Sequence, residues 1–217
     1  MSTLTHPPAL RTVADLLKRL GDIPAHRIWL DPRPGAASEA DVLEARRREG
    51  RLCELLDGVL VEKPMGLRES ILAGALIALL RAFVIPRNLG IVSGEAGLIR
   101  LFSGLVRIPD VAFASWDRVP GRRVPTEPIP DLVPDLAVEV LSESNTLEEM
   151  ARKRREYFDA GVRLAWMIDP DARAVAVYTS PNEAALLDEN QTLGGGEVLV
   201  GFTLPLQELF AELDRRA

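Results

Sequence analysis

The stretch Asp135-Leu136-Ala137-Val138-Glu139-Val140-Leu141-Ser142 decides the fold. Five of its six central positions are apolar. That is the composition of a strand buried on both faces, in a sheet covered by helices. The sixth position is Glu139. A glutamate is almost never buried unless paired or coordinated, because removing water from its charge costs several kcal/mol. Upstream, Arg107-Ile108-Pro109-Asp110-Val111-Ala112-Phe113-Ala114 sets a second carboxylate in similar apolar surroundings. Two acids in two apolar strands point to a shared cation.

Working outward, Thr146-Leu147-Glu148-Glu149 is a capping box and Gly161 a helix-ending glycine, so residues 147–160 form a helix. Strands follow at residues 164–168 and 174–178, around the turn Asp169-Pro170-Asp171. A turn at Gly194-Gly195-Gly196 and a last short helix near residues 206–213 complete the tail. On the other side, strands are expected at residues 90–101 and 106–115, and residues 69–84 form a helix apolar on nearly every face, which is therefore expected to be buried. Asp57-Gly58 closes a hairpin over residues 51–63. Residues 116–134, rich in proline and arginine, form a long connection of the kind that is often functional. Residues 1–50 read as an N-terminal arm with short helices at 13–20 and from Ser38 to Arg48. Residues 51–217 read as the domain proper. The order of helices and strands predicts an α/β fold, a sheet with helices packed against it.

Composition narrows the function. The chain has 217 residues, 47% of them hydrophobic, enough for a substantial core. Its longest apolar run, residues 71–80, is too short to span a bilayer. The start, Met1 to Pro8, has no basic segment leading into an apolar one, so no secretory signal is expected. The single Cys53 excludes an internal disulfide and a multi-thiolate zinc site and suits a reducing cytoplasm. His6 and His26 both lie in the arm, which argues against a histidine metal centre or a Ser-His-Asp triad. A net charge of −6 opposes non-specific adhesion to nucleic acid but allows a local basic groove.

If the strands of Asp110 and Glu139 are neighbours, directly opposed residues have Cβ atoms about 4.5–5.5 Å apart. Two carboxylates there repel unless a cation sits between them. Oxygen ligands without nitrogen or sulfur favour Mg²⁺ or Mn²⁺, which activate water and stabilise phosphoryl charge. The helix after Glu139 offers a further cation. Leu147, Met150, Ala151, Tyr157 and Phe158 trace an apolar stripe on it. Lys153 falls at the flank of the stripe and Arg154 nearer its middle, so Arg154 must be paired, reach outward or share the site.

These residues bring a family into view. The chain resembles the Uma-two family of restriction endonucleases, within the PD-(D/E)xK nuclease superfamily. The resemblance is carried by Cys53-Glu54-Leu55-Leu56-Asp57-Gly58, Lys63-Pro64-Met65-Gly66, Ile108-Pro109-Asp110-Val111 and Val138-Glu139-Val140-Leu141-Ser142. It continues through Lys153 with Tyr157-Phe158 and Gly161-Val162, then Trp166-Met167-Ile168-Asp169-Pro170. It implies a restriction-endonuclease-like mixed β-sheet flanked by helices, and hydrolysis of DNA phosphodiesters with Mg²⁺ (or Mn²⁺). On that pattern Asp110 and Glu139 hold the metal, and the carbonyl of Val140 is expected to join them. The superfamily lysine, normally two residues after the second acid, is here replaced by Leu141, and the role passes to Lys153. Glu54 matches a recurrent family glutamate and is a further candidate acid. Glu69 stands where family members often carry histidine. Duplex cleavage commonly needs two sites, so a homodimer is expected. Two other readings fit the same residues: a nuclease fold that binds nucleic acid or protein without cutting, and a structural oligomerisation protein.

Overall fold

A computed structural model describes residues 11–64 and 66–216. His6, the start from Met1 to Pro8 and Met65 of the family motif lie outside them.

Local signals set most boundaries. Thr12 and Asp15 close a capping box on α1 (Val13–Leu20), and Gly21 ends it at φ 92°. Ser38 and Asp41 do the same for α2 (Glu39–Glu49), which Gly50 ends. Strands β1 (Cys53–Leu56) and β2 (Val59–Glu62) join through Asp57-Gly58, both at positive φ, as a tight hairpin turn requires. Helix α3 (Leu67–Val84) buries one face only: Leu72, Ala73, Leu76, Leu80 and Val84 point inward, while Leu67 and Ile71 are exposed. The expectation of burial all round is corrected here. Small residues such as Gly74 and Ala78 keep the outer side apolar in composition without needing cover.

Two segments expected as single strands are each split between two sheets. The first yields β3 (Gly90–Gly94) and β4 (Ile99–Phe102), the second β5 (Leu105–Arg107) and β6 (Val111–Ser115). The chain changes sheet at Ile108-Pro109-Asp110, where Pro109 has no N–H to continue a ladder.

Then come β7 (Leu136–Val140), α4 (Leu147–Ala160), β8 (Leu164–Asp169), β9 (Ala174–Tyr178), β10 (Ala184–Asp188), β11 (Thr192–Gly194), β12 (Thr203–Pro205) and α5 (Leu206–Phe210). The large sheet has the order β10-β9-β8-β7-β6-β3. Its β7 and β8 are parallel and spanned by α4, and its other pairs are antiparallel. A four-stranded antiparallel sheet has the order β2-β1-β5-β4.

Three apolar clusters layer these elements. One face of the large sheet (Val111, Phe113, Leu136, Val138, Val140, Trp166) packs on α3, α5 and the C-terminal tail. Its other face meets α1, Tyr157 of α4 and the inner side of the small sheet. The outer side of the small sheet is covered by Val42 and Ala45 of α2. The candidate site lies in the middle layer, between the two sheets. Arm residues reach this core directly: Leu16, Leu20 and Ile23 are buried, and Trp29 N donates to Leu60 O at 3.0 Å. Among the described residues no helix is long and apolar enough to cross a membrane.

Candidate active site

Register brings the two acids together. β6 and β7 pair with Val111 opposite Val138, and Asp110, just before β6, donates its N–H to the Val138 carbonyl at 3.0 Å, which sets it beside Glu139. Strand alternation sends Leu136, Val138 and Val140 to the α3 side and Ala137 and Glu139 to the other. Asp110, in step with Ala112 and Ala114, shares that side. Both acids are buried, Glu139 at 3% and Asp110 at 6% exposure. The Val140 amide donates to Asp110 Oδ2 at 2.7 Å, which fixes that carboxylate against the strand of Glu139.

Helix α4 presents a different face from the one its apolar residues trace. Leu147 is 86% exposed, and the buried residues are Glu149, Met150, Lys153 and Tyr157. Glu149, Lys153 and Tyr157 recur every fourth residue, so one polar stripe faces the core. The expected apolar stripe is therefore corrected: ion pairs, not apolar contacts, hold most of this face. Lys153 Nζ lies 3.1 Å from Glu139 Oε2 and 3.4 Å from Glu54 Oε1. The Tyr157 hydroxyl donates to Glu139 Oε1. Arg154 leaves the site altogether, stacking 4.4 Å over the Tyr178 ring and donating to the Pro181 carbonyl.

A second lysine, which the sequence offered only as part of a motif, enters from the chain after β2. Lys63 Nζ pairs with Asp110 Oδ1 at 2.8 Å, lies 3.6 Å from Glu139 Oε2 and donates to the Ile108 carbonyl. It thus stands between the two acids.

Glu54 lies behind Lys153, fully buried, where it accepts from Arg107 at 2.6 Å and from the Ile108 amide at 3.0 Å. Arg107, equally buried, also donates to Glu156, which Arg152 holds from its other oxygen at 2.6 Å. From the arm, Arg27 makes a two-pronged pair with Glu149 at 2.9 and 2.8 Å. Arg27 is 2% exposed.

Burial alone would raise the Glu54 carboxyl, but the charges of Lys153, Arg107 and Lys63 outweigh it and hold it well below the carboxylate range. Burial opposes the Lys153 charge, yet Glu139 and Glu54 more than compensate and keep it a cation at any physiological pH. Burial, and then Glu139, push the Tyr157 hydroxyl well up, so it stays a donor. The cluster therefore contains a fixed cation and a fixed hydroxyl aimed at Glu139.

Asp110, Glu139, Lys63 and Lys153 open onto one cavity of about 10 Å³, room for roughly one water-sized particle. Arg27, Val140, Ser142 and Asn145 complete its walls, with Glu69 and Glu95 also lining it. Glu69, which stands where family members often carry histidine, is thus at the site, and Glu95 joins it with no signal in the sequence. Glu54 does not line the cavity, nor does any residue of the proline-rich loop at 116–134. Of the triplet Arg46-Arg47-Arg48, the last two pair with Glu44 on their own helix.

Among the described residues no group of three or more His, Cys, Asp and Glu side chains gathers as metal ligands. The donors that do converge, two buried carboxylates beside the Val140 backbone, are hard oxygens. That set fits Mg²⁺, which takes one or two carboxylates and keeps several waters.

An α/β fold with paired acids and a lysine on adjoining strands and helix is the architecture of restriction-endonuclease-like nucleases. The Uma2 family profile, described as "Putative restriction endonuclease", matches residues 38–207, and the chain belongs to that family. Among solved structures it is similar to "a putative nuclease belonging to DUF820" from Anabaena variabilis ATCC 29413. The two share 22% identity over 76% of this chain and 92% of the other, with a TM-score of 0.67, which establishes the fold. No curated protein matches the chain.

Proposed function

We propose that the protein is a metal-dependent endonuclease that hydrolyses DNA phosphodiester bonds, with Mg²⁺ (or Mn²⁺) held by Asp110, Glu139 and the carbonyl of Val140. The observation that carries this reading is the meeting of Asp110, Glu139 and Lys153 at one small polar cavity. A divalent ion supplies activation of water and stabilisation of phosphoryl charge when bound. The chain's own residues do the rest. Lys153, 3.1 Å from Glu139 and 3.4 Å from Glu54, orients the attacking water or stabilises negative charge that develops on the phosphoryl oxygens. Tyr157 fixes the orientation of Glu139 through its hydroxyl. Glu54 acts through Lys153 and Arg107 as a positioning residue, since it does not reach the cavity.

The reading extends to a homodimer, because two strands must be cut, and to a reducing cytoplasmic setting, consistent with the lone buried Cys53. Burial, and then the nearby Glu62 and Glu49, push that thiol up to about 12, which makes it unreactive. The test is cleavage of plasmid and linear duplex with Mg²⁺ or Mn²⁺ by the wild type, Glu139→Ala and Lys153→Ala. Loss of about a hundredfold or more in both variants is expected. Equal cleavage by all three proteins overturns the assignment.

A further inference from the structure

The chain contains 26 Lys and Arg residues but only three lysines: Lys18, Lys63 and Lys153. Arginine serves nearly every other cationic position, including the buried Arg27 and Arg107. Two of the three lysines meet at one pair of acids. A lysine differs from arginine in being a compact point charge on a flexible four-carbon stem, where arginine is a rigid planar fork. Lys153 is tied to Glu139 and Glu54 on the helix side. Lys63 is placed otherwise. Its Nζ touches Asp110 Oδ1, approaches Glu139 Oε2 and takes the Ile108 carbonyl as a third oxygen. Two carboxylate oxygens and one backbone carbonyl around a single small cation make a coordination-like arrangement.

A divalent ion drawn to the same two carboxylates meets this ammonium in its place. Two cations cannot share those oxygens at contact distance without strong repulsion. The ammonium has somewhere to go. Glu69 and Glu95 line the same cavity, both partly exposed, and neither has an ion-pair partner among the described residues. Lys63 lies on the connection between β2 and α3, outside any strand or helix.

We propose that Lys63 is a built-in counter-cation that occupies the position between Asp110 and Glu139 in the metal-free protein and is exchanged for the divalent ion, withdrawing toward Glu69 and Glu95. The inference rests on the metal-dependent reading above and gives Lys63 the role of a positioning residue that sets metal affinity. An ordinary structural lysine would support the acids, and its loss would weaken metal binding. An exchanging counter-cation competes, and its loss strengthens binding.

The experiment measures Mn²⁺ binding without DNA, by the disappearance of the free-ion spin-resonance signal, for the wild type, Lys63→Met and Lys63→Arg. Lys63→Met is expected to bind Mn²⁺ about tenfold more tightly than the wild type, and Lys63→Arg no more tightly. Equal or weaker binding by Lys63→Met overturns the exchange while leaving the nuclease reading standing. Absence of Mn²⁺ binding in all three proteins overturns the metal-dependent reading and the exchange with it. A second measurement needs no variant. Amine acylation of the wild type is mapped by mass spectrometry with Mg²⁺ or with chelator. Lys63, 7% exposed where it sits between the acids, is expected to react several-fold faster with Mg²⁺ while Lys153 stays protected. An unchanged Lys63 rate in protein that binds the ion overturns the exchange.

Discussion

The two faces of the β6–β7 pair are built from the same two strands yet hold together in opposite ways. Toward α3 and α5, Val111, Phe113, Leu136, Val138 and Val140 interlock with Trp166 and Phe202, and shape and apolar burial stabilise the contact. Toward α4 and the small sheet, Asp110 and Glu139 meet Lys63, Lys153 and Tyr157, with Glu54 and Arg107 behind them. The apolar face tolerates loss in proportion to the volume removed. The charged face is all or none, because each buried charge is acceptable only while its partner remains. The difference teaches where function can reside: a group that must change partners during a reaction belongs on the face whose contacts are exchangeable pairs.

The comparison is broken most severely at Arg107. Arg107→Ala takes a guanidinium partner from the buried Glu54 and the half-buried Glu156 and is expected to cost about 3–5 kcal/mol in a denaturant titration. Adding Glu54→Gln should recover part of the loss. No recovery would mean that the guanidinium acts by packing alone. On the apolar face, Leu136→Ala is expected to cost about 3 kcal/mol, with no single second substitution that restores it. A loss under about 1 kcal/mol would show that this face repacks and would blur the contrast.

The smallest effect sharpens the comparison through pH. Burial would raise Glu149, but its hydrogen bonds from Arg27, with the nearby Lys153 charge, depress it below its ordinary 4.5. Glu54 and Glu156 are depressed in the same sense by their cations. A depressed acid contributes stability that is present above its unfolded value and lost as pH falls through the folded one. The destabilisation caused by Arg27→Met should therefore be full near neutrality and shrink below about pH 4.5. That of Leu136→Ala should stay constant across the same range. Parallel pH profiles for the two variants would refute the electrostatic account of the arm contact.

Much of this arrangement was legible in the sequence, for reasons that can be stated residue by residue. Glu139 announced itself because a carboxylate inside Leu136–Val140 contradicts its neighbours. Helix α4 was bounded by Thr146 and Gly161, whose capping chemistry is local. The contacting face of α4 was hidden, because hydrophobic periodicity finds apolar stripes and this one is Glu149-Lys153-Tyr157. Strands β4 and β5 were merged with β3 and β6, because an apolar run does not reveal which sheet it enters. Strand β10 was missed because its Ala-Ala-Leu-Leu-Asp reads as helix-forming, and pairing with β9 alone makes it a strand. Lys63 carried a signal that went unread, the scarcity of lysine in a chain that otherwise uses arginine.

The buried charges of the cluster are gathered from far apart along the chain: Arg27, Glu54, Lys63, Arg107, Asp110, Glu139, Glu149 and Lys153. Contacts of such wide sequence separation close late in folding, after the loops between them have lost their freedom. During synthesis the strand of Asp110 emerges well before the helix of Lys153. A nascent or truncated chain therefore holds the acids without the lysine that faces Glu139. The ion-pair cluster is in this sense a completion check, satisfied only once the chain through α4 has been made and folded.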